Sequence, residues 1–324
     1  MSTHASRFPR LALAMLAGVA LAVGLGFSRA AAQQPVPAAA TGGKPKVVSL
    51  STVLTDVARE VGGDKIDLIP LIQPGMDPHG FSPTPADAQK VSSAQLVLIS
   101  GKGLEGYLTK FKQAAGGKAV WLDAGAVIPT ITPPEHDHDH DHDDGDHDHH
   151  HHDADPHWWH SVANVKLATV AVRDALSAIA PADKAFFAQR ATDYLAKLDT
   201  LEKELRVELA ALPRDSRKLV TSHDAFQYFA KEYGFTIISI SGISTKDQPS
   251  SRKITRIMEE IKKHKVKAVF YESIENPKVI EEITKETGAK VGGSLYADGL
   301  GEGDASTYIG MMKANVATVV KGLK

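Results

Sequence analysis

Short hydrophobic runs alternate with amphipathic segments from Lys46 to the end of the chain. In the first half KVVSLS, IDLIPLI, QLVLIS and AVWLDA have the length and β-branched content of strands. In the second half RKLVTS, TIISIS, KAVFYES and KVGGSLYA repeat the pattern. Strands that alternate with helices are typical of βαβ units, so the pattern predicts an α/β protein with two four-stranded, mainly parallel sheets and flanking helices.

One amphipathic segment is longer than the others and lies between the two halves. Apolar residues recur every three or four positions from Ala182 to Leu212, with Pro181 before the segment and Pro213 after it. A helix of that length would extend for about 46 Å. We therefore expect one long helix to join two lobes, with a cleft between the lobes at the carboxyl ends of their strands.

The chain divides into five predicted segments. These are a signal peptide (1–32), a Pro/Ala/Gly linker (33–45), an N-terminal lobe (46–180), the linking helix (181–213) and a C-terminal lobe (214–324). The N-terminal lobe includes a His/Asp-rich loop, 133–153, that we expect to be disordered.

The amino-terminal segment has the features of an export signal. Arg7 and Arg10 precede an apolar run, and Ala30-Ala31-Ala32 offers a cleavage site. A membrane anchor is the alternative, but glycines interrupt an apolar run of about 17 residues, near the lower limit for spanning a bilayer. We expect a cleaved signal peptide and a periplasmic protein, without a lipid anchor because no cysteine is present to carry one.

Composition limits the chemistry further. The chain has 324 residues, no cysteine and a formal net charge of −2. A transition-metal site must therefore use histidine and carboxylate ligands, which excludes cysteine zinc fingers and iron–sulfur clusters. No block dense in Lys and Arg indicates a nucleic-acid surface.

A run of alternating His and Asp lies inside the chain. Dense histidine is typical of metal-binding segments, whereas an unstructured acidic loop or an expression tag would be the alternatives. A tag is disfavoured because the run is internal and contains interleaved Asp. Its nine histidines are candidates for weak, secondary metal sites: His136, His138, His140, His142, His147, His149, His150, His151 and His152.

Several further candidates follow predicted strands or lie in the loop opposite. His79 follows IDLIPLI, His223 follows RKLVTS, and Asp298 follows KVGGSLYA, while His157 and His160 lie in DPHWWH. Each would face the cleft mouth. Three imidazoles and one carboxylate suit a four-coordinate zinc ion.

Other chemistries have weaker support. GKGLEG follows a strand and matches the dinucleotide fingerprint, but it follows the third strand of its lobe rather than the first, and a tight turn explains it equally well. Glu272 could serve as a general base, although an exposed loop carboxylate is the simpler interpretation. The motifs HExxH and GxSxG and the Walker A sequence do not occur.

Five stretches together resemble the cluster A-I metal-binding periplasmic solute-binding proteins of ABC importers, in their zinc-specific (ZnuA/AztC-like) branch. They are MDPHGFSPTPADA, LISGKGLEGYL, DPHWWHS, VTSHDAFQYFAKEYG and YADGLGEGDASTYIGMM. The resemblance covers essentially all of the chain after the signal and accounts for GKGLEG as a turn. It implies a receptor without enzymatic activity.

The resemblance also implies site residues and partners. It assigns His79, His157, His223 and Asp298 as metal ligands. The third of these, His223, is a histidine, which favours Zn²⁺ as cargo. His160 departs from the usual apolar residue, so whether it competes with His157 or supports the site is open. The implied partners are an inner-membrane ABC permease and, as a further candidate, a periplasmic zinc metallochaperone, with the receptor itself a monomer.

Alternative functions are a periplasmic zinc buffer or storage protein that relies on the His run, and a zinc-dependent hydrolase. Copper(II) or nickel(II) could also exceed zinc in raw affinity for imidazoles. For any of these ions the imidazoles must be neutral, so affinity is expected to fall as the pH drops through about 6.

Overall fold

The structure is a computed structural model that describes residues 43–132, 154–272 and 278–324. The predicted signal peptide, most of the predicted linker and the whole His/Asp run lie outside these ranges, so the expectations for them stay predictions. Within the described residues no helix is both long enough and apolar enough to cross a membrane.

The first sheet is built from the amino-terminal half of the described chain. Its strands are parallel and stand in the order β2-β1-β3-β4. The elements are β1 Lys46–Ser49, α1 Thr52–Gly62, β2 Asp67–Pro70, α2 Pro85–Ser92, β3 Leu96–Ile99, α3 Leu108–Ala115 and β4 Val120–Asp123, followed by α4 Val162–Ile179.

The second sheet repeats this topology. Its strands are also parallel and stand in the order β6-β5-β7-β8. The elements are β5 Lys218–Thr221, α6 Gln227–Tyr233, β6 Thr236–Ser239, α7 Ser251–Lys263, β7 Ala268–Glu272, α8 Lys278–Thr287, β8 Lys290–Leu295 and α9 Tyr308–Leu323. The predicted α/β class with two four-stranded sheets is confirmed.

A single long helix connects the two lobes, as the sequence predicted. A 3-10 turn, Pro181–Asp183, leads into α5, Lys184–Ala210. The predicted apolar stripe is its buried face: Phe187, Ala191, Tyr194, Leu198, Leu201, Leu205 and Leu209. These residues belong to one core cluster with α1, α4, α9 and residues of both sheets. The long helix therefore packs into a core that both lobes share.

Local features mark where two helices begin. α3 begins at Leu108, after the GKGLEG turn, in which Gly101, Lys102 and Gly103 all have positive φ. The closing helix begins at Tyr308, where the Thr307 hydroxyl accepts the N–H of Gly310 as its N-cap.

Replacing Leu198 by alanine tests the role of this shared core. Leu198 is fully buried in the middle of α5, so we expect a loss of about 2–5 kcal/mol in the free energy of unfolding. Urea unfolding of the metal-free protein measures it. Val207→Ala on the same helix is the control, because Val207 is 75% exposed, and its change should stay within about 0.5 kcal/mol. Equal effects of both substitutions would contradict the assignment of the buried face.

Candidate metal centre

Four buried side chains converge at one point between the sheets. They are His79, His157, His223 and Asp298, and one ligand atom from each lies within 4.8 Å of the others. Nε2 of His157 is 3.1 Å from Nε2 of His79 and 3.3 Å from Nε2 of His223. One carboxylate oxygen of Asp298 lies 3.2 to 3.4 Å from all three Nε2 atoms.

Three of these residues lie after strands, and the fourth lies just before a helix. His79 lies in the loop after β2, His223 follows β5 and Asp298 follows β8, all at carboxyl ends of parallel strands. His157 precedes a 3-10 helix, Trp158–His160, that leads into α4. The position agrees with the general rule that parallel sheets bind ligands beyond the carboxyl ends of their strands.

A local motif shapes two of the four ligand loops. Both His79 and His157 stand in the sequence Asp-Pro-His. Oδ1 of Asp77 accepts the backbone N–H of His79 at 2.8 Å, and Oδ1 of Asp155 accepts that of His157 at 2.8 Å. An Asp side chain that bonds the backbone two residues later makes a tight Asx turn. The repeated motif therefore fixes the backbone at both histidines.

Two buried carboxylates also fix the imidazole rings. Nδ1 of His157 lies 2.9 Å from Oδ1 of Asp155, and Nδ1 of His223 is hydrogen-bonded to Glu272, which also accepts the His223 backbone N–H at 3.0 Å. Carboxylates accept only, so in the neutral rings Nδ1 carries the proton and Nε2 presents a lone pair to the centre. Such carboxylate–histidine pairs are typical partners of metal-binding histidines.

The donor set is suited to a cation. With the rings neutral, lone pairs of His157 and His223 and the carboxylate of Asp298 all point at the same small volume. Among the described residues neither oxygen of Asp298 has a hydrogen-bond partner, although its side chain is only 2% exposed. Buried acceptors that face one another without a donor are unfavourable unless a cation lies between them. A tetrahedral zinc ion places its ligand atoms about 3.3–3.4 Å apart, close to the observed separations.

Charge shifts the proton affinities of these groups. Burial lowers the pKa of His223, but the charges on Glu272 and Asp298 outweigh burial and raise it well above its usual value. The pKa of His157 is likewise raised by Asp155 and Asp298 against the effect of burial. Burial would raise the pKa of Asp298, yet the neighbouring histidines hold it well below its usual range. In the metal-free protein, protons therefore compete for the place of the ion.

His160, the other candidate within the described residues, does not join this cluster. His160 is fully buried, and its Nε2 lies 2.8 Å from the carbonyl oxygen of Ala297 rather than facing the centre. Burial lowers the pKa of His160 to about 3, so its ring is neutral. The nine histidines of the run lie outside the described residues.

The expectation that Glu272 is an exposed loop carboxylate is wrong. Glu272 is the last residue of β7 and only 1% exposed, because it lies under the ring of His223. Sequence reasoning missed its supporting role, as it missed that of Asp155. The Asp-Pro-His repeat could have indicated Asp155, but the pairing of Glu272 with a histidine 49 positions away has no local signal.

The backbone N–H groups at the start of the GKGLEG turn are hydrogen-bonded to a side chain of the turn itself. The carboxylate of Glu105 accepts the backbone N–H groups of Ser100 and Gly101 at 2.7 and 3.1 Å. Burial raises the pKa of Glu105 to about 7. The backbone donors that a dinucleotide phosphate would need here are therefore already bonded, which supports the interpretation as a structural turn.

Comparison with known families identifies close relatives of the whole described chain. The profile of ZnuA, described as the periplasmic component A of a zinc-uptake complex, matches residues 47–322. The iron-binding protein YfeA of Yersinia pestis is 32% identical over 284 residues, 87% of each chain. The manganese-binding lipoprotein MntA of Bacillus subtilis is 32% identical, covering 86% of this chain and 90% of its own. The zinc-binding protein TroA of Treponema pallidum is 29% identical, covering 88% and 91%.

Solved structures agree with the fold. The periplasmic zinc-binding protein TroA of Treponema pallidum superimposes with a TM-score of 0.78 at 28% identity, covering 87% of this chain and 99% of its own. A manganese-bound periplasmic metal-binding protein of Candidatus Liberibacter asiaticus gives a TM-score of 0.75 at 25% identity, covering 87% and 100%. The relatives thus carry names for three different metals.

Glu272→Gln tests the support of His223. The substitution keeps the size of the side chain but removes its charge, so the ring is held less firmly and is a weaker donor. We expect metal affinity to fall about 10–100-fold, as for other outer partners of metal-binding histidines. Competition with a chelating dye measures it. Glu259→Gln, at an exposed position of α7, is the matched control; an unchanged affinity in E272Q would contradict the role of Glu272.

The raised pKa values of His157 and His223 predict a pH dependence of binding. A raised pKa means that the protonated ring persists above its ordinary range, and the ion must displace that proton. Affinity should therefore be highest above neutrality and start to fall at a higher pH than the unshifted pKa of about 6.5 would give. Each displaced proton weakens binding about tenfold per pH unit below the pKa concerned. Dissociation constants at pH 6, 7 and 8 measure this; a flat profile over that range would contradict it.

Proposed function

The chain belongs to the ZnuA family of periplasmic zinc-uptake components, and on that premise we propose that it is a high-affinity receptor that binds Zn²⁺ as cargo and delivers it to an ABC importer. Members of this family are metal-binding receptors of such importers and not enzymes. The observation that carries the choice of zinc is the donor set, which has three imidazole nitrogens and one carboxylate whose ligand atoms all lie within 4.8 Å of one another.

Donor chemistry supports zinc over manganese, one of the other metals named among the relatives. Imidazole suits zinc, whereas manganese prefers oxygen donors. Here a single carboxylate, that of Asp298, joins the three histidines, while Asp155 and Glu272 bond to the far nitrogens of His157 and His223. Those two carboxylates make the imidazoles better donors but are not themselves positioned to bind the ion.

We propose His79, His157, His223 and Asp298 as the ligands. All four belong to one chain, so the site needs no residue from a second copy. His79 and His157 come from the first lobe, and His223 and Asp298 come from the second lobe. Separation of these loops would therefore divide the ligands between the two lobes and weaken the site. The sequence of residues 1–32 supports export to the periplasm, and we propose that this signal peptide is cleaved and that no lipid anchor is attached.

The His/Asp run is proposed to capture zinc weakly and to raise its concentration beside the tight site. Support comes from where the run is anchored. The backbone N–H of Asp155 donates to the carbonyl of Ile131 at 2.8 Å, so the two chain ends that flank the run meet next to His157. Transfer from a periplasmic zinc metallochaperone would be a second use of the same histidines.

Calorimetric titration with Zn²⁺ and Mn²⁺ tests this function. We expect one tight zinc per chain, weaker manganese binding, and loss of the tight site in His79→Ala, because a neutral donor is removed from the centre. His264→Ala is the matched control, since His264 lies at the end of α7 and pairs with Glu260. An unchanged tight site in H79A would contradict the ligand assignment, and tighter binding of manganese would contradict the assignment of zinc.

Deletion of residues 136–152 separates the receptor from a zinc buffer. The receptor keeps one tight zinc and loses only weak sites, with slower zinc acquisition from a donor protein. A storage protein that relies on the run would lose nearly all binding. Zinc-dependent turnover of esters or phosphoesters would instead favour a hydrolase.

A further inference from the structure

The backbone carbonyl of Ala297 accepts two hydrogen bonds from neighbouring side chains. The indole Nε1 of Trp159 donates to it at 2.8 Å, and Nε2 of His160 lies at 2.8 Å. A carbonyl oxygen only accepts, so His160 must carry its proton on Nε2. Ala297 immediately precedes Asp298, and both donors belong to the 3-10 helix that follows His157.

Asp298 has no comparable support of its own. His157 and His223 are each held by a carboxylate at Nδ1, and the backbone of His79 is held by Asp77. Among the described residues both oxygens of Asp298 lack a hydrogen-bond partner. The direction of this carboxylate therefore depends on its backbone. Asn315 holds the backbone at Tyr296 and Thr52 holds it at Leu300, but the anchor immediately before Asp298 is the Ala297 carbonyl.

The imidazole at position 160 is a poor choice for packing alone. Its ring stacks on Phe226 with centroids 4.3 Å apart, a contact that a phenyl ring would make equally well. Its Nδ1 is buried without a partner among the described residues, which is unfavourable for an imidazole and would not arise with phenylalanine. What histidine adds here is the Nε2–H donor to Ala297.

We propose that His160 is a positioning residue for the metal centre: with Trp159 it holds the Ala297 carbonyl and so orients the Asp298 carboxylate toward the three imidazoles. The proposal rests on the function proposed above and goes further, because it assigns a supporting role to a residue outside the four ligands. It also links the loop of His157 directly to that of Asp298. The neutral ring of His160 suits this role, because a single fixed tautomer keeps the donor in place.

Two substitutions of His160 separate positioning from packing. His160→Phe keeps the stacking on Phe226 but removes the donor, and His160→Gln keeps a side-chain N–H that can reach Ala297. We expect H160F to raise the zinc dissociation constant about tenfold, mainly through faster release, and H160Q to recover most of the loss. Dye competition and stopped-flow chelation measure affinity and release, and urea unfolding of the metal-free variants checks the fold. His160→Leu replaces H160F if the phenylalanine variant does not fold.

The same substitution in an Asp298→Ala background is the decisive comparison. This background keeps three imidazoles and weak binding, and in it H160F should change the residual affinity by less than about twofold, because the residue acts through Asp298. In a Glu272→Gln background, which keeps all four ligands, the full effect should persist. Equal effects in both backgrounds, or an H160F protein with wild-type affinity and release, would overturn the proposal. Failure of the wild-type protein to bind zinc would instead refute the proposed function.

Discussion

The structure depends on the mutual proximity of buried electron-pair donors. One carboxylate oxygen of Asp298 lies 3.2 to 3.4 Å from all three Nε2 atoms, and Nε2 of His157 lies 3.1 and 3.3 Å from those of His79 and His223. Such a cluster is stable only when protons or a metal ion neutralise it. Either bound protons or a bound metal ion can therefore neutralise the cluster. The raised pKa values of His157 and His223 and the lowered pKa of Asp298 show how protonated histidines do so in the metal-free protein.

The supporting structure brings these donors together from both lobes. Nε1 of Trp158 donates to the carbonyl of Ser100 at the end of β3, whereas Trp159 donates to Ala297 after β8. The hydroxyl of Thr245 in the second lobe donates to Asp77 beside His79 at 2.9 Å. Because α5 also packs into the shared core, these hydrogen bonds leave the ligand loops little freedom to move. The geometry of the site is therefore largely formed before the ion binds.

Selectivity in this family cannot follow from the fold. Relatives with names for iron, manganese and zinc cover most of the same chain. A common scaffold can serve different metals when the ligand types change at a few loop positions. Here the histidine at position 223 makes the site richer in nitrogen, and the buried carboxylates behind the rings raise their basicity.

The sequence by itself determined the α/β class, the two sheets and the long helix, because hydrophobic periodicity is a local property that short stretches express independently. It also indicated His79, His223 and Asp298 as candidates through their positions after strands, and the resemblance to a receptor family added His157 and completed the set of four. Only the tertiary structure decided that His160 faces Ala297 rather than the centre, and that Glu272 lies buried against His223. These outcomes depend on contacts between residues 49 or more positions apart, for which no local pattern exists. The contact of His160 with Ala297 arises when the two lobes pack together, and that of Glu272 with His223 arises when β7 pairs with β5 within the second sheet.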